Sequence, residues 1–317
     1  MEKNSLQDPP TPQELEALYQ SCRNWGRWGE EDERGALNHL TRAHRAHAFS
    51  LATEGLTVSL AHDLTTTPTP ETPEPAHHHM LAAGDARNES GIPGYEASRD
   101  YVGSAVHGLG LTHIDALCHM FVRGEMYNGV PADAVRSNGA QRNTIMSVAE
   151  GLVGRGVLLD VPRSRGVDFL GANETISVSD LEAAERLQGV EVGAGDLLIV
   201  STGRDARRAA AGQLDPFAEG LAGLHAECLP WLHERCIAAL GSDGISDPMP
   251  GLGIEGWPFP VHQVGITGIG LHLIDNMSLG ALLDVCASRE RWEFLLSVAV
   301  IRIPGGTGCP VNPLACF

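Results

Sequence analysis

The stretch His113-Ile114-Asp115-Ala116-Leu117-Cys118-His119 carries three side chains that can bind a metal or move a proton. His113 and Asp115 are two apart, so on an extended segment both leave the same face. Asp115 and His119 are four apart, so one helical turn would bring them together. A strand running into a helix here would converge two imidazoles and a carboxylate on one spot. That donor set suits a borderline divalent cation such as zinc, or manganese where more carboxylate and water join. The spacing is not a standard zinc signature, and a chain with 14 histidines can also gather such a cluster in a core or on a wet surface. If a cation does sit there, it activates water and polarises a carbonyl, and a neighbouring histidine can carry the proton.

The rest of the chain must hold those residues in place. Its 317 residues, 43% hydrophobic and 20% charged, suffice for a substantial core in one large domain or two small ones. The formal charge of −18 argues against nucleic acid or an anionic membrane surface as partner. A small anionic substrate answers to the local field and stays open. No apolar run reaches the length of a membrane span, and the polar start MEKNSLQDPPTPQELE does not read as a signal peptide. Seven scattered cysteines, an odd number without a CxxC pair, fit reduced thiols, so a cytoplasmic location is expected.

A helix is predicted from Pro12 to about Cys22 with Thr11 as N-cap, and a second over LTRAHRAHAFSLATEG, ending at Gly55. LTVSLAHDL alternates like a strand. Residues 65–94, rich in Pro, Thr, His and Gly, have long-loop composition and could form a lid. GRGVLLDVPR, GDLLIVSTG, IAALGSDG, VGITGIGLHLIDN and FLLSVAVIRI read as strands. SVSDLEAAERLQ and CLPWLHERC read as helices, and PGGTGCPVNPLACF reads as a closing loop. Strands and helices alternate without a linker, which predicts a single α/β domain over residues 1–317 with a mixed sheet, residues 1–20 forming an N-terminal extension.

The glycine-rich stretches HGLGLTH and GITGIGLH lack the full dinucleotide fingerprint, and IPGGTGCP lacks the Lys and Ser/Thr of a phosphate loop. All three fit tight turns or close backbone approach. No G-x-S-x-G elbow is present for a serine nucleophile. Cys118 sits inside the cluster, but a thiol there is more simply a packed neighbour than a nucleophile.

THIDALCHMF resembles the signature of the metal-dependent cyclase family, roughly H-x-G-T-H-x-D-A-P-x-H-F, which includes kynurenine formamidases and isatin hydrolases. GRGVLLDVPR, GDLLIVSTGR, LGSDGISD and PVHQVGITGIGLHLIDNMSL resemble later family segments in the same order. NWGRWGEEDERGALNHLT and IPGGTGCPVNPLACF look like its longer subgroup. The resemblance covers nearly the whole chain from about residue 21, and it implies a mixed sheet or barrel-like core with surrounding helices.

By that resemblance His113 and Asp115 match two metal ligands. His119 matches a histidine used as catalytic base or as ligand to a second metal. His262 matches a downstream site histidine, and Asp275 stands where the family has a metal-binding glutamate. Asp243 and Asp247 lie in a segment that resembles a loop near the site, though GSDGISDP would also make an ordinary turn. The chain departs from the signature at three places. Leu109 replaces the first histidine, a role that His107 could take if the strand bulges between Gly108 and Gly110. Leu117 replaces proline, and Asp275 is one methylene short of glutamate. These departures favour one metal over two, zinc or manganese.

The expected function is therefore hydrolysis of an amide, cyclic amide, imide or lactone by metal-activated water. His119 is the expected proton carrier, with His113, Asp115, His107, His262 and Asp275 about the metal. Asp243, Trp25 and Trp28 are expected to contact a small-molecule carbonyl substrate, and a homo-oligomer is expected. A metal-dependent cyclase or dehydratase acting on a polyketide-like substrate, and a non-catalytic member of the family, are the alternatives. Residues 65–94, with His77, His78 and His79, are expected to shape substrate choice.

Overall fold

The computed structural model describes residues 9–85 and 92–317. Its frame is one mixed sheet of nine strands. In chain order these are β1 (Thr57–Ser59), β2 (His113–Asp115), β3 (Leu152–Asp160), β4 (Leu197–Ser201), β5 (Ala239–Ser242), β6 (His272–Asp275), β7 (Glu293–Val298), β8 (Gly308–Pro310) and β9 (Leu314–Cys316). Their spatial order is β1-β9-β7-β3-β4-β5-β6-β2-β8. The four central strands β3, β4, β5 and β6 run parallel to one another, and the flanking pairs are antiparallel. The sheet curls into a half-barrel with helices around it.

The central strands are largely apolar because both faces are covered. Val157, Leu159, Leu198, Val200 and Leu240 enter one buried cluster. Their alternating neighbours Leu158, Leu197, Ile199 and Ala239 enter the other. Asp275 ends the central strand β6, and His113 and Asp115 are the two ends of the short flanking strand β2.

Several sequence expectations hold. The first helix runs Pro12–Ser21, and Thr11 forms a reciprocal capping box with Glu14. SVSDLEAAERLQ becomes the helix Val178–Gln188, capped in the same way by Ser177 and Asp180. The five segments read as strands supply β3, β4, β5, β6 and β7.

Four expectations are corrected. The chain after β2 makes a tight turn, not a helix: the His119 amide bonds the Ala116 carbonyl at 2.9 Å and the Cys118 amide is drawn to Asn143. The first half of VGITGIGLHLIDN is a π-helix, Val261–Ile269, and only the end is strand. An apolar run buried on all sides has no period to separate the two states. The helix stops at Gly270, whose φ of +77° and approach to Tyr127 and Gly35 leave no room for a side chain. The closing loop contains β8 and β9, short strands that pair with the distant strands β2 and β1, β9 also with β7. Residues 65–94 are not all loop either, since His77–Ala82 pairs with Arg99–Gly103 in an exposed hairpin. Residues 86–91 of that segment lie outside the described residues.

Candidate metal and active site

The sheet register assembles the site. β2 lies between β6 and β8, with His113 opposite Asp275 and Asp115 opposite Gly308. Cross-strand partners stand close together, so His113, Asp115 and Asp275 converge, all three buried. His113 Nε2 is 3.5 Å from Asp115 Oδ1.

His262 reaches in from the π-helix. Asp247 fixes it by accepting bonds from the Val261 amide (2.8 Å), the His262 amide (2.9 Å) and the His262 Nδ1–H (2.8 Å). With Nδ1 so occupied, Nε2 faces the cluster, 3.3 Å from Asp275 Oδ2 and 3.6 Å from Asp115 Oδ2. Helical irregularities of this kind are frequent at functional sites.

His119 and His107 close the remaining side. His119 Nε2 lies 4.0 Å from Asp115 Oδ2, and its ring stacks on His107 with centroids 3.7 Å apart and planes 11° from parallel. His107 is itself held at both nitrogens. Its Nδ1–H donates to Asp115 Oδ1 at 2.8 Å, and Nε2 accepts from the Thr307 hydroxyl at 3.0 Å. A side chain at 308 would meet the His107 ring and the Ile114 carbonyl, both at 2.8 Å, so glycine there makes space for that ring.

The electrostatics follow from burial. Desolvation raises the Asp115 carboxyl, but His119, the hydrogen bond from His107, His113 and His262 outweigh it and hold the group below the usual carboxylate range. Burial pushes His119 down to about 4 against the pull of Asp115, so it is neutral at pH 7. Burial also opposes charging of His262, yet Asp247 and Asp275 overcome this and raise it. Burial drives the Cys118 thiol up to about 12, which removes it as a nucleophile.

The residues fit a divalent cation. Asp115 Oδ2 is buried without a hydrogen-bond partner, a costly state for an ionised oxygen unless something positive meets it. Ligand atoms about 2.1 Å from a tetrahedral ion stand roughly 3.4 Å apart. The separations of His262 Nε2 from Asp275 Oδ2 (3.3 Å) and Asp115 Oδ2 (3.6 Å) lie near that edge, while His113 Nε2 stands 3.5 Å from the other Asp115 oxygen, Oδ1. The 2.8 Å contact of His107 is a hydrogen bond instead.

A cavity of about 420 Å³ opens onto the cluster. His107, His113, His119, His262 and Asp275 lie at its base, and Leu109, Met120, Phe217, Ile245, Met249 and Phe259 contribute apolar wall. Trp25, Trp28 and Asp243 are not among the lining residues. The Trp25 indole N–H donates to the Thr267 carbonyl at 2.6 Å and its ring meets Tyr19 edge-on. Trp28 packs on His39. Asp243 gathers the amides of Thr202, Gly203 and Arg204 at the start of the helix Arg204–Ala211. These three residues are bonded within the frame, away from this cavity's lining. Thr307, in contrast, was read only as part of a loop. No local signal ties it to a histidine 200 positions earlier.

Residues 56–247 match the family model for putative cyclases, and the chain belongs to that family. A solved structure described as a novel cyclase is 31% identical, with 94% of this chain and 99% of that chain covered and a TM-score of 0.85. Isatin hydrolase A from Labrenzia aggregata, bound to benzyl benzoate, shares the fold at 21% identity, 88% and 98% coverage and a TM-score of 0.59. A predicted metal-dependent hydrolase from Bacillus stearothermophilus does so at 17% identity, 83% and 98% coverage and a TM-score of 0.50. No curated protein matches the chain.

Proposed function

We propose that this protein is a metal-dependent hydrolase that opens an amide, cyclic amide, imide or lactone carbonyl bond. The observation that carries the reading is the buried, unpartnered Asp115 Oδ2 at the centre of converging imidazoles and a second carboxylate. The family membership supports it, as do the fold relatives described as hydrolases.

His113, Asp115, Asp275 and the Nε2 of His262 would hold the ion, zinc or manganese, which when bound supplies Lewis-acid polarisation of the carbonyl and a more acidic water. His119 lines the cavity and is neutral at pH 7. It takes a proton from the attacking water and returns it to the leaving nitrogen or oxygen. His107 supports the parallel ring of His119 and orients Asp115, and Asp247 sets the tautomer of His262. The apolar wall limits bulk water around the scissile bond.

The test is metal analysis of the purified chain, then a chelation-controlled hydrolysis screen across amides, imides and lactones. Full activity with substoichiometric metal would defeat the metal role. Turnover without water uptake in the product would favour the cyclase or dehydratase reading that the family description also allows.

A further inference from the structure

The cavity wall has a charge pattern that bears on what can enter. Among its described lining residues there is no lysine or arginine. Two arginines stand just behind it, on the helix Arg204–Ala211, and both are committed to one residue of the wall, Glu71. Arg204 Nη2 donates to Glu71 Oε2 at 2.9 Å, Arg208 Nε donates to Oε1 at 3.2 Å, and Arg208 Nη2 bonds Oε2 as well. Glu71 and Arg204 are buried, 7% and 4% exposed, so these contacts are little screened by solvent.

Most of their other donors are also committed, although Arg204 Nε is buried without a partner. Arg204 Nη1 bonds the Asp243 carbonyl at 2.8 Å and Asn276 Oδ1 at 2.5 Å. Arg208 Nη1 contacts His62 at 2.9 Å. The carboxylate of Glu71 therefore occupies the position that a carboxylate on a ligand would need. The remaining carboxylates at the lining are Glu74 and Asp275, and the four histidines stand together at the base. A ligand that brought a carboxylate against this apolar wall, away from the histidine cluster at its base, would lose its hydration with no free guanidinium to meet it.

We propose that the site selects uncharged, largely apolar carbonyl compounds and rejects carboxylate-bearing ones, and that Glu71 sets this choice by sequestering Arg204 and Arg208. The proposal rests on the hydrolase reading for the bond that is cleaved, but the selectivity is a binding property and is measured separately.

The experiment uses a matched pair, acetanilide and 4-acetamidobenzoate, which differ by one carboxylate. Binding to the full chain is measured by calorimetry as purified, and again under chelator so that a carboxylate seated on a cation is told apart. Under chelator the neutral compound should bind at least about tenfold tighter, a factor within the 1–3 kcal/mol typical of an unmet buried polar group. In Glu71→Gln, which keeps the shape but releases the guanidiniums, the gap should narrow to within about threefold. Arg208→Met gives the opposite sign and should keep or widen the gap, which guards against a Glu71 variant that fails to fold. Equal or tighter binding of 4-acetamidobenzoate to the native chain would overturn the proposal, as would no binding of either compound. Discrimination unchanged in a folded Glu71→Gln would overturn it too. Absence of hydrolysis despite the expected binding ratio would instead count against the hydrolase reading alone.

Discussion

Replacing His107 by alanine tests how this chain compensates for Leu109 at the position of the family's first histidine. His107 belongs with Asp115 and His119 to one group that could hold an ion, but both its nitrogens are hydrogen-bonded, to Asp115 Oδ1 at 2.8 Å and to Thr307 at 3.0 Å, and the proposed function gives its ring an orienting role. His113 and Asp115, at 3.5 Å, have the spacing of two atoms that share one cation. Loss of an orienting partner typically weakens metal binding about 10- to 100-fold, which is roughly 1.4 to 2.7 kcal/mol. Loss of a direct ligand should exceed that. Competition of each apo variant with a chelating dye gives both dissociation constants under one set of conditions. The expected order is native tightest, His107→Ala weaker by one to two decades, and His113→Ala weakest. The His119 ring also loses its stacking platform at 3.7 Å, so His107→Ala should lower turnover even when saturated with metal. Equal losses in His107→Ala and His113→Ala would refute this reasoning and make His107 a ligand. An unchanged affinity in His107→Ala would refute it from the other side.

Four further outcomes follow from the same geometry. His119→Ala should bind metal nearly as the native chain does but lose about 10²- to 10⁴-fold in kcat, as removal of a positioned proton carrier costs; near-normal turnover with metal bound would end its assignment. Asp247→Asn removes the charge that fixes His262 Nδ1–H at 2.8 Å, and metal titration should show a loss of about 10- to 100-fold. Gly308→Ala places a methyl against the His107 ring and the Ile114 carbonyl, so thermal melting should report destabilisation of about 1–3 kcal/mol. Burial holds His272 at about 4 against an ordinary value of 6.5. Its contribution to stability is then full above pH 6.5 and lost as pH falls toward 4, roughly 3 kcal/mol in all. Denaturant titrations of native and His272→Gln chains under chelator should show the shallower acid slope in the variant.

The parts of this molecule that were legible in its sequence are those whose information is local. Thr11 and Glu14 announce a helix start because both partners of the capping box lie within one turn. His113 and Asp115 announce a shared face because a strand alternates, and they do share one. Composition was equally local evidence for the buried strands β3 and β4. Two kinds of feature escaped. The π-helix that carries His262 is buried on every side, so no polar stripe marks its period. β8 and β9 are three residues each and exist only because distant strands offer them edges.

The site itself divides along the same line. Asp115 and His119 were read as one turn of helix, yet a tight turn brings them to 4.0 Å. The four-residue spacing thus carried the proximity while the backbone took a different path. His107 is the reverse case. Its place six residues before His113 suggested a substitute ligand, and in the fold Thr307 bonds one nitrogen and Asp115 the other. The first of these is supplied by a strand edge 200 residues away, next to a glycine that leaves room for the ring. Residue type and spacing can thus nominate the members of a metal cluster. Which member binds, which orients and which moves the proton depends on second partners that only the fold brings within reach.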